Sequence, residues 1–152
     1  RAAAGEYEDR SGPRIREILE SHFSNAGLLP SVCPTLIPDD PHKLEELLHK
    51  SKEELIDLVI TTGGTGIGPR DFTPDVVRAN LDKEIPGIME MVRTKYGALN
   101  PSALLSRSVA GVIGKSLVFA LPGSVKAVNE YMGEILTSLM HMIRMLHGLD
   151  GH

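Results

Sequence analysis

The sequence predicts an α/β protein: a three-layer α/β/α sandwich around a mostly parallel sheet, with a hairpin in its C-terminal half. Three observations carry this expectation. Short apolar segments alternate with amphipathic helical ones, joined by short junctions. The run Leu58, Val59 and Ile60 is apolar and rich in β-branched side chains, as a strand buried in a parallel sheet is. Val109–Ile113 and Leu117–Leu121 are two further apolar runs that turn at Gly114-Lys115, the pattern of a two-residue hairpin.

The elements follow in order. Ser11 and Pro13 open a helix whose inner face holds Ile15, Ile18, Leu19 and Phe23, and Gly27 and Pro30 end the following turn. Val32 to Ile37 reads as a strand interrupted by Pro34, hence irregular or at an edge. Asp40 suits an N-cap with Pro41 at the first helical position, and Leu44, Leu47, Leu48 and Leu55 mark that helix's inner face. The strand Leu58–Thr61 leads into a loop with four glycines, Gly63, Gly64, Gly66 and Gly68, and Thr73 is the expected cap of the helix beyond, with Pro74 and Asp75 in its first turn. Val76, Val77 and Leu81 define that short helix. Pro86-Gly87 breaks before another through Met89, Val92 and Tyr96. After the hairpin, Pro122-Gly123-Ser124 leads into one long helix with an apolar stripe through Val128, Tyr131, Ile135, Leu139, Ile143 and Leu146. Met140, Met142 and Met145 on it are expected in the core or at a subunit contact.

Size and composition exclude several classes. The 152 residues suit one domain, 1–152, and 41% hydrophobic with 24% charged residues is ordinary for a globular chain. A net charge of −4 gives no basic footprint for nucleic acid. No apolar run reaches membrane-spanning length. The single cysteine, Cys33, rules out an internal disulfide, points to a reducing, cytoplasmic setting, and is expected to be a small buried residue rather than a nucleophile. The six histidines lack a zinc spacing, and no Gly-x-Ser-x-Gly elbow supports serine hydrolysis.

The glycine loop is where chemistry is expected. In open α/β sheets, ligands bind outside the carboxyl ends of strands. Glycines let a loop backbone bring its N–H groups close to an anion, and the helix N-terminus behind adds partial positive charge. Arg70 suits a phosphate contact and Asp71 a metal ligand. The loop is neither a P-loop, since no Gly-Lys-Ser/Thr follows, nor a dinucleotide fingerprint, since the spacing after Gly66 is wrong. A glycine-rich turn used for packing alone is the alternative. Two other junctions carry unusual residues: Asp39 and Asp40 at one, and Pro122, Gly123, Ser124 and Lys126 at the other. All three should emerge at one carboxyl edge, so that Asp39 and Asp71 share a cleft with loop amides and a lysine, a set suited to a nucleotide with Mg²⁺. Alternatively Asp39 and Asp40 merely cap a helix, although capping needs only one of them.

Six segments together resemble a known family: Tyr7-Glu8-Asp9-Arg10-Ser11-Gly12, Ile37-Pro38-Asp39, Thr61-Thr62-Gly63-Gly64-Thr65-Gly66, Pro69-Arg70-Asp71-Phe72-Thr73-Pro74, Leu105-Ser106-Arg107 and Leu121-Pro122-Gly123-Ser124. The chain resembles, over essentially its whole length, the molybdenum-cofactor biosynthesis domain of the Mog and MoaB type. That resemblance implies a molybdopterin adenylyltransferase using ATP, molybdopterin and Mg²⁺. It implies catalytic or metal-holding roles for Asp39 and Asp71. By the same resemblance Thr62, Gly63, Gly64, Thr65, Gly66, Arg70, Ser106, Arg107, Pro122, Gly123, Ser124 and Lys126 would bind the substrates. A homotrimer and a downstream molybdate-insertion protein are the partners it implies. Family members begin with a strand ending in Ser-Asp just before the position of Arg1, and that strand is expected to belong to the protein. A non-catalytic molybdopterin-binding module, or a trimeric scaffold of the same fold, is the alternative. Retention of both Asp39 and Asp71 favours the enzyme.

Overall fold

A computed structural model describes Gly5 and residues 8–149. The described residues form six α-helices, one short 3-10 helix and a four-stranded sheet. In chain order the elements are α1 (Ser11–Asn25), α2 (Pro41–Glu53), β1 (Leu58–Thr62), α3 (Thr73–Asn80), β2 (Lys83–Glu84), α4 (Pro86–Gly97), the 3-10 turn Pro101–Leu105, β3 (Val109–Ile113), β4 (Ser116–Leu121), α5 (Val125–Leu136) and α6 (Leu139–Leu146).

The sheet runs β1-β4-β3-β2, and only β1 and β4 are parallel. The expectation of a mostly parallel sheet is therefore corrected to a mixed one. The hairpin makes β3 antiparallel to β4, and the two-residue β2, too short for its pattern to be legible, adds a second antiparallel pairing. The hairpin turns at Gly114-Lys115 as expected, with Gly114 in the left-handed region at φ 59°.

Side chains alternate across β4 and supply both faces of the sheet. Leu117, Phe119 and Leu121 meet α1, α4, α5 and α6 through Ile15, Leu19, Met89, Val92, Val128, Met132, Ile135 and Leu139. Val118 and Ala120 face the other way, against Leu44 and Leu48 of α2 and Val77 of α3. Three layers result, as the alternation predicts. Every residue of β4 is buried, because both its faces are covered and both its edges paired, whereas β1 is half-buried throughout.

Several local expectations need correction. Val32–Ile37 forms no strand: Pro34 cannot donate to a ladder, and only Ile37 of the segment packs against the core. Cys33 is exposed, not buried. Leu55 lies beyond α2 and is 72% exposed, at φ 55°. There it takes the left-handed position of a helix-closing motif, with Leu55 N–H donating to Lys52 O at 3.3 Å and Ile56 N–H to Ser51 O at 3.0 Å. The long C-terminal helix is two helices. Thr137 Oγ1 donates to Glu134 O at 2.7 Å and Ser138 N–H to Ile135 O at 3.2 Å, side-chain and short-range bonds that end α5 before Leu139. Thr73 is the first residue of α3 rather than its cap, which is Phe72. Asp40 does cap α2, accepting from His42 N–H at 2.9 Å.

Tyr7 and any strand before Arg1 lie outside the described residues.

Candidate functional site

The parallel β1–β4 pair builds the site. Thr62 is registered against Leu121, so the chain leaves both strands at one edge, and Gly63 N–H donates to Leu121 O at 2.9 Å. The two junctions then touch. A Cβ on Gly123 would lie 3.2 Å from Gly63 Cα, a separation that only a side-chain-free pair tolerates comfortably. Gly63 and Gly64 have φ of 90° and 64°, conformations costly for any other residue. Because β3 is antiparallel to β4, Ser106 and Arg107 enter from the same edge. So does α1, whose first residue Ser11 donates its hydroxyl to Thr62 Oγ1 at 3.2 Å. Ser124, ahead of α5, accepts from Ala127 N–H at 3.1 Å and caps that helix.

Asp71 is folded back onto the loop it closes. Its Oδ2 accepts from Gly68 N–H at 2.8 Å. A Cβ on Gly66 or Gly68 would come within 2.7 or 2.9 Å of that oxygen, so these two glycines form the cradle in which the carboxylate sits. Among the described residues its other oxygen accepts no hydrogen bond.

Arg107 does something its motif did not disclose. Its backbone N–H donates to Thr65 O at 2.7 Å, Nε to Gly66 O at 2.8 Å, Nη2 to Asp71 O, and Nη1 to both oxygens of Asp75 at 2.9 and 3.1 Å. One residue, through its backbone and its side chain, thus holds the middle of the loop, its exit and the first turn of the following helix. The Arg107 guanidinium keeps the Asp75 carboxyl below its usual range, against an opposing desolvation cost, and Asp75 in turn raises Arg107. A lowered carboxyl contributes stability above its unfolded value, near 4, and loses it as pH falls through the lower folded value. Asp75 is 58% exposed, so the contribution is below about 1 kcal/mol. Asp75→Asn should therefore lower the urea midpoint slightly at pH 7, and the gap to the unmutated protein should close well below pH 4. A gap that widens in acid would contradict the pairing.

Next to the loop, Ser106 Oγ lies 2.7 Å from Ser108 Oγ and donates to Thr65 Oγ1 at 3.4 Å. Arg70 and Lys126 are exposed at this edge. Asp39 is exposed ahead of α2, which runs back along the sheet into β1, so connectivity sets it at the same edge as the glycine loop.

A cavity of about 310 Å³ opens where α1 and α5 begin, lined by Glu8, Arg10, Ser11, Gly123 and Val125. Four of these were absent from the expected site set. The signal was present in the residue pattern: Asp9 Oδ1 accepts from Ser11 Oγ and Gly12 N–H, both at 3.1 Å, the mark of a helix start delivered to the sheet edge.

Fold and site together define an α/β domain with a glycine loop at the carboxyl edge of a parallel strand pair, the position at which open α/β sheets generally take ligands. The family described as "Probable molybdopterin binding domain" matches residues 1–141. The "Molybdopterin adenylyltransferase" of Helicobacter pylori is 34% identical over 149 residues, 97% of this chain and 83% of that protein. The crystal structure of the "Molybdopterin biosynthesis enzyme MoaB" from Thermus thermophilus superposes with a TM-score of 0.86 at 36% identity, covering 97% of this chain and 90% of that one. Gephyrin of Dictyostelium discoideum is 31% identical over 155 residues, and the chain spans only 21% of it. The chain belongs to the molybdopterin-binding domain family and is a Mog/MoaB-type molybdopterin biosynthesis protein. No described helix is long and apolar enough to cross a membrane.

Proposed function

We propose that the protein is a molybdopterin adenylyltransferase, transferring AMP from ATP to molybdopterin. The observation that carries this reading is the conjunction of an amide-rich glycine loop with an adjoining carboxylate, Asp71, that has an oxygen to spare. The pterin's terminal phosphate oxygen attacks the α-phosphorus of ATP. The new P–O bond forms as the bond to the pyrophosphate oxygen breaks, and pyrophosphate leaves without a covalent enzyme intermediate. Loop N–H groups stabilise the charge on the phosphoryl oxygens. Arg70 and Lys126 are exposed cations able to meet the phosphate tail.

Among the described residues no group of three or more side chains forms a metal cage. A magnesium ion that arrives with a nucleotide needs only one or two carboxylates. Asp71, with Asp39 from the same edge, would hold Mg²⁺, which when bound neutralises phosphate charge. Formation of adenylyl-molybdopterin and pyrophosphate by the purified protein given ATP, Mg²⁺ and molybdopterin tests the reading. Tight molybdopterin binding with no product would leave the non-catalytic module instead.

We also propose a homotrimer with one cleft per subunit. The apolar residues of α4 and α6 divide: Met89, Val92 and Leu139 are core, whereas Met91 and Met145 are 41% and 59% exposed. Beyond α4, Leu99, Leu104 and Leu105 are also more than half exposed, and clustered apolar surface commonly marks an interface. Light scattering should give three times the chain mass at micromolar concentration. A monomer mass across that range would refute it.

A further inference from the structure

We infer that Arg107 is a positioning residue for the glycine loop rather than a substrate ligand: it draws the loop's carbonyls to itself and thereby turns the intervening N–H groups toward the anion. The inference rests on the nucleotide-binding reading above. The physical problem it answers is the loop's composition. Ordering a residue's backbone costs roughly 1–2 kcal/mol, and glycine loses the most freedom. A loop with Gly63, Gly64, Gly66 and Gly68 therefore needs an external hold.

Arg107 supplies one. The carbonyls of Thr65, Gly66 and Asp71 all accept from it, three from a single residue 36 to 42 positions away in sequence. Among the described residues no peptide bond is cis. In a trans peptide, the C=O of one residue and the N–H of the next point in opposite directions. Binding those three carbonyls, Thr65 through the Arg107 backbone and Gly66 and Asp71 through its guanidinium, directs the N–H groups of Gly66, Ile67 and Phe72 away from Arg107. None of those three N–H groups donates a hydrogen bond to any described residue. Backbone N–H groups left without a protein acceptor in such a loop are available to an anion. Arg107's own side chain is about two-thirds buried, and its Nε, Nη1 and Nη2 each already have a protein acceptor. Asp75 completes the hold by accepting from Nη1 with both oxygens, a charge-assisted contact that ties the guanidinium to the first turn of α3.

Geometry of this kind needs the fork, not merely the charge. A lysine keeps the charge but presents one compact donor centre and cannot reach several separated carbonyls at once. The test uses the full chain in five forms: unmutated, Arg107→Lys, Arg107→Met, Asp75→Asn and the Arg107→Met/Asp75→Asn double variant. ATP affinity is measured by calorimetry, and hydrogen exchange is followed without ligand at the amides of Gly68, Asp71 and Thr73. Each of those amides donates within the loop or from the start of α3 back to it. Arg107→Lys and Arg107→Met should both weaken ATP about tenfold or more. Both should speed exchange at the three amides while β4 stays protected. Asp75→Asn should weaken ATP severalfold and add nothing when combined with Arg107→Met. If Arg107→Lys binds ATP as tightly as the unmutated protein, or Asp75→Asn binds it more tightly, Arg107 contacts the ligand directly and the inference fails. Unchanged exchange at the three amides in Arg107→Met also overturns it, whether or not ATP binds. An unmutated protein that binds no ATP would defeat the nucleotide reading, and the exchange result would still decide the hold.

Discussion

Asp71→Asn is expected to lower the turnover of adenylyl transfer by on the order of 10²-fold or more while leaving the fold intact. The magnitude is that of removing one electrostatic contributor at a reacting centre. Asparagine has the same size, and its side-chain oxygen can still accept from Gly68 N–H, the bond that now closes the loop. What it lacks is charge. The cradle of Gly66 and Gly68 leaves space for either side chain, so the loss should fall on chemistry rather than on stability. The half-buried setting of Asp71 supports that separation. Steady-state rates with ATP, Mg²⁺ and molybdopterin, read beside a thermal melt, check both halves. Near-normal turnover would remove Asp71 from the mechanism, and a melt lowered by many degrees would make it a structural residue.

Gly64→Ala should be the most damaging single-methyl substitution in the loop. Gly64 has φ 64°, and leaving glycine there costs about 1–2 kcal/mol. The new Cβ would also lie 2.5 Å from Thr73 Oγ1 and 3.5 Å from Thr73 Cβ. Thr73 is buried and begins α3, and its N–H donates to Gly64 O at 3.1 Å, so it cannot withdraw without loosening the helix start. Crowding of this sort typically adds 1–3 kcal/mol. We expect a total of about 2–5 kcal/mol by urea denaturation and, because the loop must move to relieve the contact, a parallel loss of ATP affinity. Gly87→Ala is the control, since nothing lies within 4 Å of a Cβ built there. Equal effects at the two positions would show that the loop tolerates a side chain, and the packing account would fall.

The parts of this molecule that depend on neighbours in sequence were legible from sequence. Asp40 caps α2 through a donor two residues on, Gly114 makes the hairpin turn, and the glycine loop follows the strand whose β-branched run announces it. Each is a short-range event governed by backbone conformation and local hydrogen bonding, which residue type controls directly. The expectation for Thr73 missed by one position, because the contact that settled it is with Gly64, across the loop.

What tertiary structure alone decided are the long-range matters. Whether Val32–Ile37 became a strand depended on a pairing edge, and composition cannot supply one. The same holds for the exposure of Cys33 and Leu55, set by what else packs nearby. The sheet is mixed because the hairpin inserts between β1 and the short β2, an order no periodicity encodes. Arg107 is the sharpest case. Its motif marked it as belonging to the site, but its partners Thr65, Gly66, Asp71 and Asp75 lie 32 to 42 residues earlier, and their carbonyl and carboxylate oxygens meet its donors only because β3 begins at the edge where β1 ends. Residue type specifies a donor, but only the fold specifies which acceptors it reaches.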